Sequence, residues 1–142
     1  MYLEALAKDF LVRGADGEVI ILEDGQSKAF KYAMVDLLKP AAWAWYRDHI
    51  RCEVLLACDD GGEALVAGWM QDFAEYLPGG ARVAGGGKAT DVHNLYPMLA
   101  ASAARGALEG REAEATFFTR SGSLRTPRYA PMTWVPGAPE EL

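Results

Sequence analysis

The stretch Glu53-Val54-Leu55-Leu56-Ala57-Cys58-Asp59-Asp60-Gly61-Gly62 decides how the rest of the chain is read. Its apolar run stops at a cysteine and enters an acidic, glycine-rich turn, and a short apolar run bounded by turn signals has the signature of a buried strand. The next residues, Glu63 to Leu77, place Leu65, Trp69, Phe73 and Leu77 on one stripe and Gln71, Asp72 and Glu75 on another, the spacing of an amphipathic surface helix. A strand feeding a helix through a turn sets residue 58 at the carboxyl edge of an open sheet, where α/β proteins place ligands and reactive groups. Cys58 is therefore the leading candidate for chemistry. Its competing reading is a buried small hydrophobe, the commonest state of a free cysteine.

Upstream, Asp9 to Arg13 and Glu18 to Leu22 are short apolar runs joined by Gly14-Ala15-Asp16-Gly17, whose Asp-Gly step signals a hairpin. Lys28 to Leu38 shows Phe30, Ala33, Met34, Leu37 and Leu38 at helical spacing, and Pro40 both ends that pattern and suits the first turn of a helix over Ala41 to Asp48. Downstream, Pro78-Gly79-Gly80 stops the helix after Cys58, Ala81 to Ala84 reads as a short strand, and Asp91 to Leu108 reads as a helix with a disruptive Pro97. The alternation of strand and helix predicts one α/β domain over residues 1–142, a three-layer sandwich with a mainly parallel sheet and right-handed crossovers. Glu114 to Thr119 and Arg128 to Val135 flank Ser121-Gly122-Ser123 and predict a C-terminal antiparallel hairpin, followed by a frayed tail from Gly137 to Leu142.

Composition narrows the function classes. The 142 residues are 51% hydrophobic and 24% charged, ordinary for a globular domain. No apolar run approaches a membrane span and the N-terminus carries no secretory pattern, so a cytoplasmic location and no membrane partner are expected. The net charge of −6 sits in residues 1–100, with 9 Lys and Arg against 15 Asp and Glu, while residues 101–142 hold 5 of each. Only Arg120, Arg125 and Arg128 offer a basic tract, too little for nucleic acid. Cys52 and Cys58 in one extended strand would stand about 20 Å apart, beyond the roughly 7 Å a disulfide permits, so reduced thiols are expected. Their spacing fits no zinc pattern, and neither a metal nor a cofactor is expected.

Three constellations remain. The loop Gly85-Gly86-Gly87-Lys88-Ala89-Thr90 could offer amides to an anion, but it fails as a P-loop because the first glycine would fall at Arg82 and the hydroxyl position is Ala89. Cys58 could pair with His93, which follows the adjacent expected strand, with Asp91 or Asp59 orienting the imidazole; His49 lies at the wrong end of the cysteine's strand. The acidic turns Glu23-Asp24 and Asp59-Asp60 could converge on Mg²⁺, although Asp and Gly are also what turns demand.

The segments Ile21-Leu22-Glu23-Asp24-Gly25, Val54-Leu55-Leu56-Ala57-Cys58-Asp59-Asp60-Gly61 and Gly80-Ala81-Arg82-Val83 together resemble the caspase-like clan of cysteine peptidases, particularly CHAT-type and toxin-associated members. The resemblance, spanning residues 9 to 106, implies a nucleophile at Cys58. In that clan the base is a histidine followed by glycine upstream of the cysteine; Arg13-Gly14 stands there, which implies a broken dyad. The expectation is thus a caspase-like cysteine hydrolase or its degenerate relative, with Cys58, His93 and Asp91 as candidate catalytic residues. The alternative is a small acidic protein-binding module without enzymatic activity, of the immunity-protein or inhibitor kind, anchored by Trp43, Trp45, Trp69 and Trp134. Either reading calls for a protein or peptide partner and leaves the oligomeric state open.

Overall fold

The computed structural model describes residues 1–23, 30–58 and 62–134. The acidic turn Asp59-Asp60, the carboxylate of Asp24 and the C-terminal tail lie outside the described residues, and with them the readings placed on a Mg²⁺ site, on Asp59 as an orienting group and on fraying.

The chain opens with helix α1 (Tyr2–Ala7), strand β1 (Leu22–Glu23) and strand β2 (Lys31–Tyr32). Between α1 and β1 the expected hairpin forms: Gly14 N–H donates to Glu18 O at 2.8 Å and Arg13 bridges Val19. Over the described residues 30–38, the helical spacing of Lys28 to Leu38 does not become a helix. Tyr32 pairs with Leu22 across β1 and β2, and Val35 pairs with Leu11, both antiparallel. Aromatic and β-branched residues at these positions suit a pleated surface, and cross-strand partners override a weak local preference.

Helix α2 (Pro40–His49) begins at its proline as expected, and it does not stop there. The backbone runs on as a π-helical segment, Ile50–Leu56, closed by Ala57 and Cys58 at φ of 50° and 60°. The strand expected over Glu53 to Cys58 is therefore a helix, with Leu55 and Leu56 sealed in the core. A short apolar run fits a buried strand and a buried helical turn equally, and only packing separates them. The thiols change with it. On a helical turn the Cα atoms of Cys52 and Cys58 lie 4.0 Å apart, and the two are disulfide-bonded rather than reduced.

Strand β3 (Gly68–Gln71) replaces the amphipathic helix expected over Glu63 to Leu77, leaving only a 3₁₀ turn at Ala74–Tyr76. Helices α3 (Ala89–Val92) and α4 (Tyr96–Ala107) occupy most of the expected helix from Asp91 to Leu108, and Pro97 sits harmlessly in the first turn of α4. The expected strand Ala81 to Ala84 is reduced to single bridges at Arg82, to Arg13 and Lys88. Strands β4 (Thr116–Thr119) and β5 (Met132–Thr133) complete a parallel sheet of order β3-β4-β5. They do not form an antiparallel hairpin. The chain after Arg120 winds through a 3₁₀ turn at Thr126–Arg128, where Ser123 N–H donates to the buried Thr126 Oγ1, and this detour returns it to the starting end of the sheet.

The sheet packs one face on helices. Phe117 is fully buried among Ile50, Leu55, Ala101 and Ala104, stacked on Trp69 at 5.5 Å, and α4's run of alanines lets α2 approach closely. The opposite face carries Met70, Phe118 and Met132, aligned in register; Met132 is 50% exposed and the other two are only partly buried. A three-layer sandwich would cover that face with helices, whereas a parallel sheet closing into a barrel would turn such a row inward as one layer of its packed interior.

Close approach fixes Gly68. A Cβ there would lie 2.7 Å from Thr116 O, a backbone atom that cannot swing aside. Gly68→Ala is expected to part β3 from β4 and lower unfolding stability by about 1–3 kcal/mol, read by chemical denaturation.

Asp36 ties two segments together. Only 2% exposed, its carboxylate accepts from Leu38 N–H at 3.2 Å and Ala84 N–H at 2.8 Å. Burial raises its pKa above 3.8, against the lowering effect of the two amides. The folded state thus holds the proton more tightly than the unfolded chain, so this group's contribution is complete below pH 3.8 and is lost as pH rises through the folded pKa. The stability difference between the native protein and Asp36→Asn should accordingly shift against the native protein from pH 3.5 to 7 (about these values, set by the carboxylate range). A difference that is flat with pH would contradict it.

Candidate active site

The parallel register puts Gln71, Thr119 and Thr133 side by side at the last rung of the sheet. The next residues, Asp72, Arg120 and Trp134, therefore emerge together at its carboxyl edge, with Trp134 N–H donating to Thr119 O at 2.7 Å. Gln71 anchors that edge, donating from Nε2 to the hydroxyl of Tyr46 on α2 at 2.8 Å.

Arg120 gathers the charges. Its Nε lies 3.0 Å from Asp72 Oδ1 and its Nη2 lies 2.5 Å from Glu75 Oε1. The angles are away from ideal, so charge more than aligned hydrogen bonding joins them. Its guanidinium also lies over the rings of Phe73, at 5.4 Å, and Tyr76, at 5.5 Å. Burial works against its charge, yet the carboxylates of Glu75 and Asp72 outweigh this and raise its pKa above the ordinary value. The side chains of Arg120 and Asp72 are 20% and 22% exposed, against 34% and 61% for the surface pair Arg47–Asp48. An ion pair withdrawn from water in this way is less screened than a surface one.

Backbone geometry fixes Asp72. Phe73 adopts φ of 63°, a conformation uncommon for a bulky residue, and its N–H donates to Asp72 Oδ1 at 2.7 Å. Tyr32 packs on Phe73 at 5.2 Å and holds that ring. Glu75 follows on the 3₁₀ turn and accepts a short hydrogen bond from Ser121 Oγ. A carboxylate, a guanidinium and a second carboxylate thus stand where two parallel strands end. None of them is a candidate from sequence, because Asp72 and Glu75 fall on the polar stripe of an expected helix and Arg120 in a basic tract too small for nucleic acid.

Each of the candidates Cys58, His93 and Asp91 has a partner outside the proposed triad. Cys58 is bonded to Cys52 beside a polar cleft with Arg47, Arg51 and Glu109. His93 Nδ1 lies 3.0 Å from Leu77 O, and Asp91 lies next to the Thr90 hydroxyl, at 3.4 Å. No hydrogen bond or ion pair joins the three among the described residues. His49 stacks on Trp45 at 5.4 Å. The glycine loop makes a tight turn, Gly85 and Gly86 having φ of 78° and 75°, and the Ala84 amide preceding it is taken by Asp36.

Helix-backed parallel strands whose carboxyl ends carry an acidic and a basic side chain have the form of a segment of an α/β barrel, the fold in which functional groups come from strand ends. Comparison with known proteins agrees: the family model described as the glycosyl hydrolases family 31 TIM-barrel domain matches residues 1–137. The chain belongs to glycosyl hydrolase family 31. It is 35% identical over 134 residues to a sulfoquinovosidase of Escherichia coli (strain K12), a match covering 92% of this chain and 18% of that protein. It is 32% identical over 127 residues to a sulfoquinovosidase of Agrobacterium fabrum, covering 88% and 18%. Its structure superposes with a TM-score of 0.80 on a family 31 sulfoquinovosidase from E. rectale solved with an aza-sugar inhibitor, at 29% identity, covering 94% of this chain and 19% of that one. The chain therefore spans less than a fifth of the length of these relatives.

Family membership overturns the caspase-like resemblance, the sandwich fold and both functional readings drawn from sequence. Neither a cysteine hydrolase nor a non-enzymatic inhibitor accords with a family 31 barrel. A disulfide sulfur also carries no thiolate, the form in which cysteine is nucleophilic.

Proposed function

We propose that this chain supplies the strand ends bearing one catalytic carboxylate, Asp72, in a family 31 glycoside hydrolase that acts on sulfoquinovosides. The observation that carries the reading is the placement of Asp72 at the carboxyl end of β3, oriented by Phe73 N–H and paired with Arg120 from the end of β4. The substrate class rests on the likeness to two sulfoquinovosidases and to the sulfoquinovosidase structure.

Glycoside hydrolysis passes through an oxocarbenium-like transition state flanked by two carboxyl groups. One protonates the leaving oxygen. The other faces the anomeric carbon, as nucleophile in a retaining enzyme or as base toward water in an inverting one, according to their separation. Asp72 fits the second role, since a carboxylate held by an amide and a guanidinium is fixed in rotamer and offers its charge where positive charge develops. Its partner acid would come from another strand end of the complete barrel.

The test compares an aryl sulfoquinovoside with the matching aryl glucoside as substrates for the full-length product of the reading frame. A site built around a buried polar partner rejects an analogue lacking the group, so kcat/KM should favour the sulfonated substrate by at least about 100-fold. Equal turnover of both, or turnover of neither by folded protein, would overturn the reading.

A further inference from the structure

Glu75 is not needed to balance Arg120. With Asp72 alone the pair would be neutral; with Glu75 the three charges sum to −1, so the guanidinium has no spare charge for an anionic ligand. What Glu75 adds is geometry. A single carboxylate leaves an arginine free to pivot about its contact, whereas contacts at both Nε and Nη2, to two different carboxylates, restrict that pivoting. The rings of Phe73 and Tyr76 also lie against the guanidinium, at 5.4 and 5.5 Å. Glu75 is itself held from β4's side of the edge, by Ser121 Oγ, immediately after Arg120 in the chain. Ser121 is only 5% exposed, so its hydroxyl commits to that carboxylate rather than to water.

We infer that Glu75 is a positioning residue: with Ser121 it clamps the Arg120 guanidinium against Asp72, and it acts on turnover only through Arg120. The inference rests on the reading of Asp72 as a catalytic carboxylate for its kinetic consequence, while the clamp itself is a property of the folded chain. The long lever explains why a residue without access to the reacting carbon should matter: a small displacement of a catalytic group is costly in rate.

Two measurements on the full chain test it. In the first, kcat and KM for an aryl sulfoquinovoside are compared for Glu75→Gln in the native and Arg120→Met backgrounds. Glu75→Gln should lower kcat by about 10- to 100-fold with KM changed less than about threefold, should lose nothing further once Arg120 is gone, and should be partly rescued in Glu75→Asp. Equal losses in both backgrounds, or no loss in the native one, would overturn the inference. The second needs no turnover. The Nε–H resonance of Arg120 should exchange slowly with solvent in the native protein and at least about tenfold faster in Glu75→Gln and Ser121→Ala. Unchanged exchange would overturn the clamp. Intact slow exchange in a protein that hydrolyses no glycoside would instead strike the functional reading and leave the clamp standing.

Discussion

Asp72→Asn is expected to lower kcat for a sulfoquinovoside by about 10⁴-fold while the protein remains folded, because it removes the charge opposite the developing oxocarbenium ion and keeps the side chain's size. Asparagine can still accept from Phe73 N–H, the 2.7 Å contact that orients the native carboxylate. What it cannot do is pair with Arg120 or form a covalent or water-activating contact with the sugar. KM should change little. Steady-state kinetics together with thermal denaturation separate the two effects. A variant keeping more than about a tenth of native turnover would remove Asp72 from the mechanism.

Arg120→Met comes second in size. Methionine matches the length of the arginine stem, yet it leaves two carboxylates facing each other at the sheet edge without the cation that joined them. Like charges so placed resist being ionised together. The expected result is a kcat reduced by about 10²–10³, the usual effect of deleting one preorganised electrostatic partner. Stability should fall as well, by about 1–3 kcal/mol, since two partly buried carboxylates are left without their counter-ion. Arg120→Lys is the informative companion. A lysine keeps the charge but cannot span both carboxylates in one plane or stack as a guanidinium does on Phe73 and Tyr76, so it should recover stability better than turnover. Full recovery of turnover by lysine would show that charge alone matters.

Legibility in the sequence followed range. The turn at Gly14 to Gly17, the start of α2 at Pro40 and the helix over most of Asp91 to Leu108 were all readable, because each depends on neighbours a few residues away. A mainly parallel sheet was expected, but its strand β3 and the parallel pairing of β4 with β5 were not legible. Gly68–Gln71 is only four residues long and is defined by Thr116–Thr119, far along the chain, so its local pattern could be absorbed into a helical stripe. The π-helical continuation of α2 was equally hidden, since its apolar residues carry no period that distinguishes it from a strand. An extended segment there would hold Cys52 and Cys58 apart as thiols, whereas the helical turn brings their Cα atoms within 4.0 Å.

The site was present as a signal of another kind. Gly68-Trp69-Met70-Gln71-Asp72 and Thr116-Phe117-Phe118-Thr119-Arg120 are two short aromatic-bearing runs, each closed by a charged residue. Read as parallel neighbours, they deliver opposite charges to one edge. Glycine at position 68 supports that reading, because a glycine at the head of an apolar run marks close backbone approach, here to Thr116 O. The disulfide carried no such signal, since it depends on a helical geometry that the sequence around it disguises.

In the proposed reaction the Asp72 carboxylate faces the reacting carbon. The most direct test of this is chemical rescue of Asp72→Ala in the full-length protein, with an activated aryl sulfoquinovoside and added azide. Turnover should be nearly absent without azide and should return in part with it, yielding a glycosyl azide as the small anion occupies the space the carboxylate left. Native-like turnover without azide, or a loss that azide does not relieve in folded protein, would rule out that placement of Asp72.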